Sequence, residues 1–154
     1  MNISINKISF GQFKPWRLVD SVNVSPLERE KLMDIKDSIN AGNDMKNYDV
    51  EGFVYTTRAP EIHNRRKKIR LFIMPSLNYF KKIKMQKTDA NINDYEKMSK
   101  SFYLNDKFLE EKIAEFLFIQ RGYINMCAHH KDHGVLYRCQ RPDIFNIDKT
   151  KPLL

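Results

Sequence analysis

Three of the four histidines in this 154-residue chain fall within five positions, and both cysteines flank them: Cys127-Ala-His-His-Lys-Asp-His-Gly-Val-Leu-Tyr-Arg-Cys139. Imidazole and thiolate are the ligand types that zinc prefers. A thiolate beside an imidazole is also the pairing that nucleophilic catalysis uses. Cys127, His129, His130 and His133 are therefore the metal candidates, and Cys127 with a loop histidine the catalytic one. Asp132 is placed to orient a ring.

The spacing fits neither chemistry well. Structural zinc sites draw their ligands in close Cys–Cys and His–His pairs, one pair from each side of the ion. Gly134, set between β-forming residues, predicts a hairpin with the histidines at its tip. If Ala128 faces Val135, Cys139 lies roughly 10 Å beyond the partner of Cys127. That is too far for a disulfide or a single shared ion. The simplest expectation is a polar hairpin tip with two reduced cysteines, no metal and no cofactor. The alternative is a small transferase or hydrolase built on the 127–139 loop.

A second concentration of chemistry lies upstream. Between residues 58 and 87 stand Arg58, Arg65, Arg66, Lys67, Lys68, Arg70, Lys81, Lys82, Lys84 and Lys87, against one acid, Glu61. That window carries +9; the remaining 17 basic and 18 acidic residues leave the rest of the chain at −1. The formal charge of +8 is thus local, a near-neutral body bearing one basic segment. Clustered Arg and Lys neutralise phosphates and release counterions, so the partners expected are nucleic acid or an acidic protein surface. Phe72, Tyr79 and Phe80 are interleaved with the cations and could stack on unpaired bases. The structural alternative is a solvated loop and a lysine-guarded strand edge.

The glycines exclude more than they support. Only five are present, and none falls between Gly52 and Gly122. Phosphate-cradling loops need glycine for close backbone approach, so the P-loop, the dinucleotide fingerprint and the kinase loop are absent. The Glu110-Glu111-Lys112 triplet spells the E-x-K of restriction-like nucleases. It falls on a predicted helix, where those enzymes use a strand.

These side chains need a scaffold, and the pattern supplies one. Ile3 to Phe13 alternates as a strand. Ser25-Pro26-Leu27-Glu28 is a capping box with proline in the first turn. It opens a helix over 25–41, with Leu27, Leu32, Ile35 and Ile39 as its apolar stripe and Gly42 as a left-handed stop. Val50–Thr57 and Ile69–Met74 are β-rich and predict a hairpin around the basic loop. Leu77–Met85 suits a strand or a short helix equally, and Lys87–Asn93 reads as a loop. A helix is expected over 94–104. A better one follows, capped by Asn105, carrying Phe108, Leu109, Ile113, Phe116 and Leu117, and closing at Gly122. Tyr123–Ala128 and Val135–Gln140 then form the last two strands, and 142–154 an extended tail. The order predicts one α+β domain over 1–141, with a mainly antiparallel sheet and helices on one face.

A helix ending at Arg121-Gly122-Tyr123 with a hairpin behind it resembles the C-terminal end of the acyl-coenzyme A acetyltransferase fold. The resemblance is confined to that short stretch. It implies an acyl-coenzyme A loop after Met74, where this chain reads Pro75-Ser-Leu-Asn-Tyr-Phe-Lys-Lys.

No apolar run is long enough for a signal peptide or a membrane span, so a cytoplasmic protein is expected. The leading expectation is a small non-catalytic protein that binds nucleic acid or another polyanion through 58–87. An oligomeric structural protein is the remaining alternative.

Overall fold

The computed structural model describes residues 13–57, 66–82, 98–129 and 147–153, with the backbone alone at 80–82 and 127–129. Its described elements are β1 (Arg17–Val19), α1 (Pro26–Ala41), β2 (Tyr48–Thr56), β3 (Lys67–Pro75), α2 (Leu77–Lys82), β4 (Ser99–Tyr103), α3 (Leu109–His129) and β5 (Thr150–Pro152). The strands form one sheet in the order β4-β3-β2-β1-β5. All described pairings are antiparallel except β1 with β2, which α1 connects as a parallel crossover. The chain is a single-domain α+β fold, as the partly segregated runs of strand and helix predict.

The capping box forms as read. Glu28 N–H donates to Ser25 Oγ at 3.2 Å, and Ser25 N–H donates to Glu28 Oε1 at 3.0 Å. Leu32, Ile35 and Ile39 are buried beneath the helix, whereas Leu27 is 79% exposed and outside the stripe. A first-turn residue at that phase points away from the sheet once the other three face it. Gly42 ends the helix in an extended conformation, φ −78° and ψ 123°, and not in the left-handed one expected. Its N–H still reaches back to the Ile39 carbonyl at 3.3 Å.

The Glu28 carboxylate has a second task. Lys67 Nζ, at the start of β3, donates to Glu28 Oε1 at 2.6 Å and ties α1 to the sheet. Burial pushes the carboxyl pKa up, but the bonds from Lys67 and Ser25 outweigh it and hold it below the ordinary value. A carboxylate depressed in the folded state stabilises above its unfolded pKa, and the stabilisation disappears as pH falls through the folded one. The stability penalty of Glu28→Gln, measured by urea unfolding, should therefore be largest near neutrality and shrink below about pH 4. A penalty independent of pH would show that the ion pair contributes nothing.

The hairpin is continuous, in register from Tyr48↔Pro75 to Thr56↔Lys67. Residues directly opposite in a sheet share a face. One face carries Val50, Gly52, Val54, Ile69, Leu71, Ile73 and Phe102. Against it lie Trp16 and both long helices. Trp16, at 1% exposure, donates Nε1–H to the Leu32 carbonyl at 2.7 Å, and Phe102 meets Phe116 of α3 edge to face.

Two elements differ from the reading. Ser99–Tyr103 is a strand, not the end of a helix. Its alternation, with Phe102 inward and Ser99, Ser101 and Tyr103 on the opposite face, fits the open edge of β3. α3 does not stop at Gly122 but runs to His129, so Tyr123–Ala128 is helical and not a strand. Gly122 is exposed, and a Cβ there would meet nothing within 4 Å. Glycine inside a helix costs about 1 kcal/mol, and burial of Leu117 before it and Ile124 after it offsets that. The helix start is served by Asp106, not Asn105. Its Oδ1 accepts from Phe108 N–H at 2.8 Å, and its other oxygen binds Lys112.

α2 occupies the ambiguous 77–82 stretch. It is held by Tyr79, whose hydroxyl donates to Asn125 Oδ1 at 2.8 Å beside that of Tyr48 at 2.6 Å. Burial, with Tyr79 adjacent, raises the Tyr48 phenol pKa above its usual value. Thr150–Pro152, expected in an extended tail, forms the edge strand β5 on β1. The strand expected over 3–13 lies outside the described residues except for Phe13, which bridges Val50. The 87–93 loop and the 135–140 strand also lie outside them.

Candidate polyanion-binding site

Among the ten basic residues of the 58–87 window, Arg66, Lys67, Lys68 and Arg70 have described side chains. Arg58, Arg65, Lys84 and Lys87 lie outside the described residues, and Lys81 and Lys82 are placed by backbone alone at the end of α2. Arg66 stands just before β3, and the pleat of the strand divides the other three. Lys67 turns to the helix side and is engaged by Glu28. Lys68 and Arg70 turn to the other face, where the register lays out cross-strand rows Tyr55–Lys68–Tyr103, Phe53–Arg70–Ser101 and Glu51–Phe72–Ser99.

Arg70 belongs to a hydrogen-bond network. Its Nε and Nη2 donate to Ser99 Oγ at 3.0 and 2.7 Å, and Nη1 to Ser101 Oγ at 3.2 Å. The Ser101 hydroxyl also meets the Tyr55 hydroxyl at 2.7 Å. A guanidinium with its fork occupied is oriented rather than available. Arg17 is occupied likewise, bonding Thr150 Oγ1 and the Ile147 and Thr150 carbonyls at 2.8–3.0 Å and so pinning β5.

The remaining cations behave differently. Arg66 lies 5.6 Å and Lys68 4.5 Å from the centroid of the Tyr103 ring. Lys107 sits 5.0 Å from the Phe108 ring, and Lys100 5.7 Å from Phe102. Among the described residues none of these four pairs with a carboxylate. Tyr103 is 41% and Phe108 52% exposed. Two acids of this region are engaged, Glu28 by Lys67 and Asp106 by Lys112, while Glu110 and Glu111 of α3 stand exposed. The Lys112 bond and the Phe108 amide hold the exposed Asp106 carboxyl below its usual pKa. The result is a corner where β3 begins and β4 ends, with uncommitted cations resting on two open rings. A cation over a ring face is attracted by about 0.5–1 kcal/mol at an exposed site, little enough for a phosphate to draw it away.

The stacking residues expected from sequence are not at this corner. Phe72 is fully buried, and Tyr79 is half-buried and hydrogen-bonded inside the fold. Phe80 has no described side chain. The sequence pattern places Tyr103 in a helix over 94–104 and Phe108 on the apolar stripe of the next helix; the structure instead sets Tyr103 on β4 and leaves Phe108 exposed just before α3. The available signal was two aromatics flanking the polar Asn105-Asp106 turn, with a lysine beside one of them.

The described part of the Cys/His window is helical: Cys127 and His129 lie on the last turn of α3, so Tyr123–Ala128 is not the strand that the expected register between Cys127 and Cys139 needs. His130, His133 and Cys139 lie outside the described residues. Among the described residues no three His, Cys, Asp or Glu side chains group to hold a metal. The acetyltransferase likeness fails here too, since helix replaces the strand required after Arg121-Gly122. The E-x-K triplet is helical, in the first turns of α3. A cleft of about 180 Å³ opens between α1 and α3, lined by Ile35, Ile39, Ile113 and Leu117 and bounded by the Arg121–Asp44 ion pair at 3.2 Å. It lies on the helix side of the sheet, opposite the Lys68 face. No described helix is long and apolar enough to cross a membrane.

Comparison with known proteins finds no match among protein-family models, curated proteins or solved structures.

Proposed function

We propose that the chain is a small non-catalytic protein that binds nucleic acid or another polyanion. The contact runs through the 58–87 segment, extended by the β3–β4 corner. The observation carrying this reading is the sorting of the cations. Arg17, Lys67, Arg70 and Arg121 are held in ion pairs or hydrogen bonds, whereas Arg66, Lys68 and Lys107 gather at one corner with only aromatic rings beneath them. Arg66 and Lys68, with the nearby Glu28 held by Lys67, present a positive field outward. The absence of phosphate-cradling glycines from 53 to 121 agrees with a surface and not a nucleotide pocket.

The test is the double variant Arg66→Glu/Lys68→Glu, with retention on heparin and on duplex DNA followed against salt. Lys67 is spared because a glutamate there would face Glu28. Each phosphate contact adds about 0.9 to the slope of log affinity against log salt. Losing two contacts should flatten the slope by about 2 and weaken DNA binding at least tenfold near physiological salt. Unchanged retention on both, or no retention of the parent protein, would overturn the reading.

A further inference from the structure

We infer that the polyanion is single-stranded nucleic acid and that Tyr103 is its base-stacking platform; this rests on the polyanion reading above. The argument begins with what each class of anion can use. Heparin and polyphosphate offer charge without π-faces, and polyglutamate is an acidic polypeptide without aromatic rings. A duplex offers charge and groove edges but keeps its base faces inside the stack. A single strand offers phosphates together with free π-faces, and proteins that hold one pair a basic track with exposed aromatics.

The β3–β4 corner has both parts at one place. Tyr103 stands on β4, the edge strand of the described sheet, with two-fifths of its surface open. Both of its cations, Lys68 on β3 and Arg66 just before it, reach the ring from the side on which β3 pairs with β4. No described strand pairs with the other side. Phe108 follows five residues on, across the turn closed by the Asp106 N–H to Tyr103 carbonyl bond at 3.2 Å, with Lys107 on its ring. Along the chain, open ring, cation and open ring follow one another as Tyr103, Lys107 and Phe108, with Arg66 and Lys68 over the first ring.

The experiment measures fluorescence anisotropy of the full chain with a labelled oligothymidylate, a duplex of equal length, polyphosphate and polyglutamate as separate probes. Tyr103→Ala should weaken oligothymidylate binding by about tenfold, since stacking on one ring has that order of effect. It should leave polyphosphate binding unchanged. Tyr103→Phe keeps the π-face and should retain the parent affinity, separating stacking from a hydroxyl contact. Equal binding of duplex and oligothymidylate, or Tyr103→Ala affecting all anions alike, would overturn the stacking inference while the polyanion reading stands. Preference for polyglutamate would also overturn it, in favour of an acidic protein. Failure to bind any of the four probes would remove both.

Discussion

Trp16→Ala is expected to cost about 3–5 kcal/mol of folding stability, the range for truncating a fully buried aromatic. Three contributions are lost together. The indole is 1% exposed and fills the space between α1 and the helix face of the sheet. It packs on Phe13 with ring centroids 4.7 Å apart. Its Nε1–H bond to Leu32 at 2.7 Å anchors the centre of α1. A domain of this size is stable by only about 5–15 kcal/mol, so the variant should be marginally folded at room temperature. Urea unfolding followed by far-ultraviolet circular dichroism would measure it. A midpoint close to the parent's would mean that the indole is not the keystone between α1 and the sheet.

Gly52→Ala should be destabilising by about 3 kcal/mol, at the upper end of ordinary overpacking. The sign is notable because backbone preference points the other way. Gly52 sits in the middle of β2 without a positive φ, where alanine would normally gain about 0.5–1 kcal/mol. Packing reverses this. A Cβ at Gly52 would fall 2.4 and 2.5 Å from two Trp16 ring carbons and 2.6 Å from Phe13 Cζ. Both rings are buried and cannot swing into water. The two predictions are coupled, since removing the indole vacates the space that the new methyl needs. In a Trp16→Ala background the Gly52→Ala penalty should fall well below its value alone, a double-mutant signature of direct contact. Additive penalties would place the clash elsewhere.

The same pair shows where local reading stops. Pro15-Trp16 reads as a connection, because nothing within a few residues reveals that Trp16 will be covered. Its burial depends on α1 crossing from β1 to β2 and on a glycine 36 positions away leaving room beneath the ring. Leu27 is the converse: it is apolar and on the same helix, but its phase lies about 100° from that of Leu32, Ile35 and Ile39, and once those three face the sheet it is left to solvent.

The candidate site was legible in part. Arg66 and Lys68 could be named because charge is a property of composition and survives any fold. Arg70, from the same cluster, is committed to Ser99 and Ser101, a fact that depends on which residues the β3–β4 register sets opposite each other. Tyr103 was missed for a related reason. Ser99–Tyr103 is too short for periodicity to separate strand from helix, and the open edge of β3 decides it.

By itself, the sequence determined what local physics and counting control. These are the capped helix α1, the β2–β3 hairpin, the α+β class, the confinement of positive charge to one segment and the exclusion of nucleotide cradles. Capping, turn chemistry and alternation act over a few residues, and charge is additive. Tertiary structure alone decided the continuation of α3 through Gly122, the conversion of 99–103 into β4, and the division of cations between ion pairs and open aromatic rings. Each depends on burial or register with residues distant in the chain, and those contacts carry enough free energy to override weak local preferences.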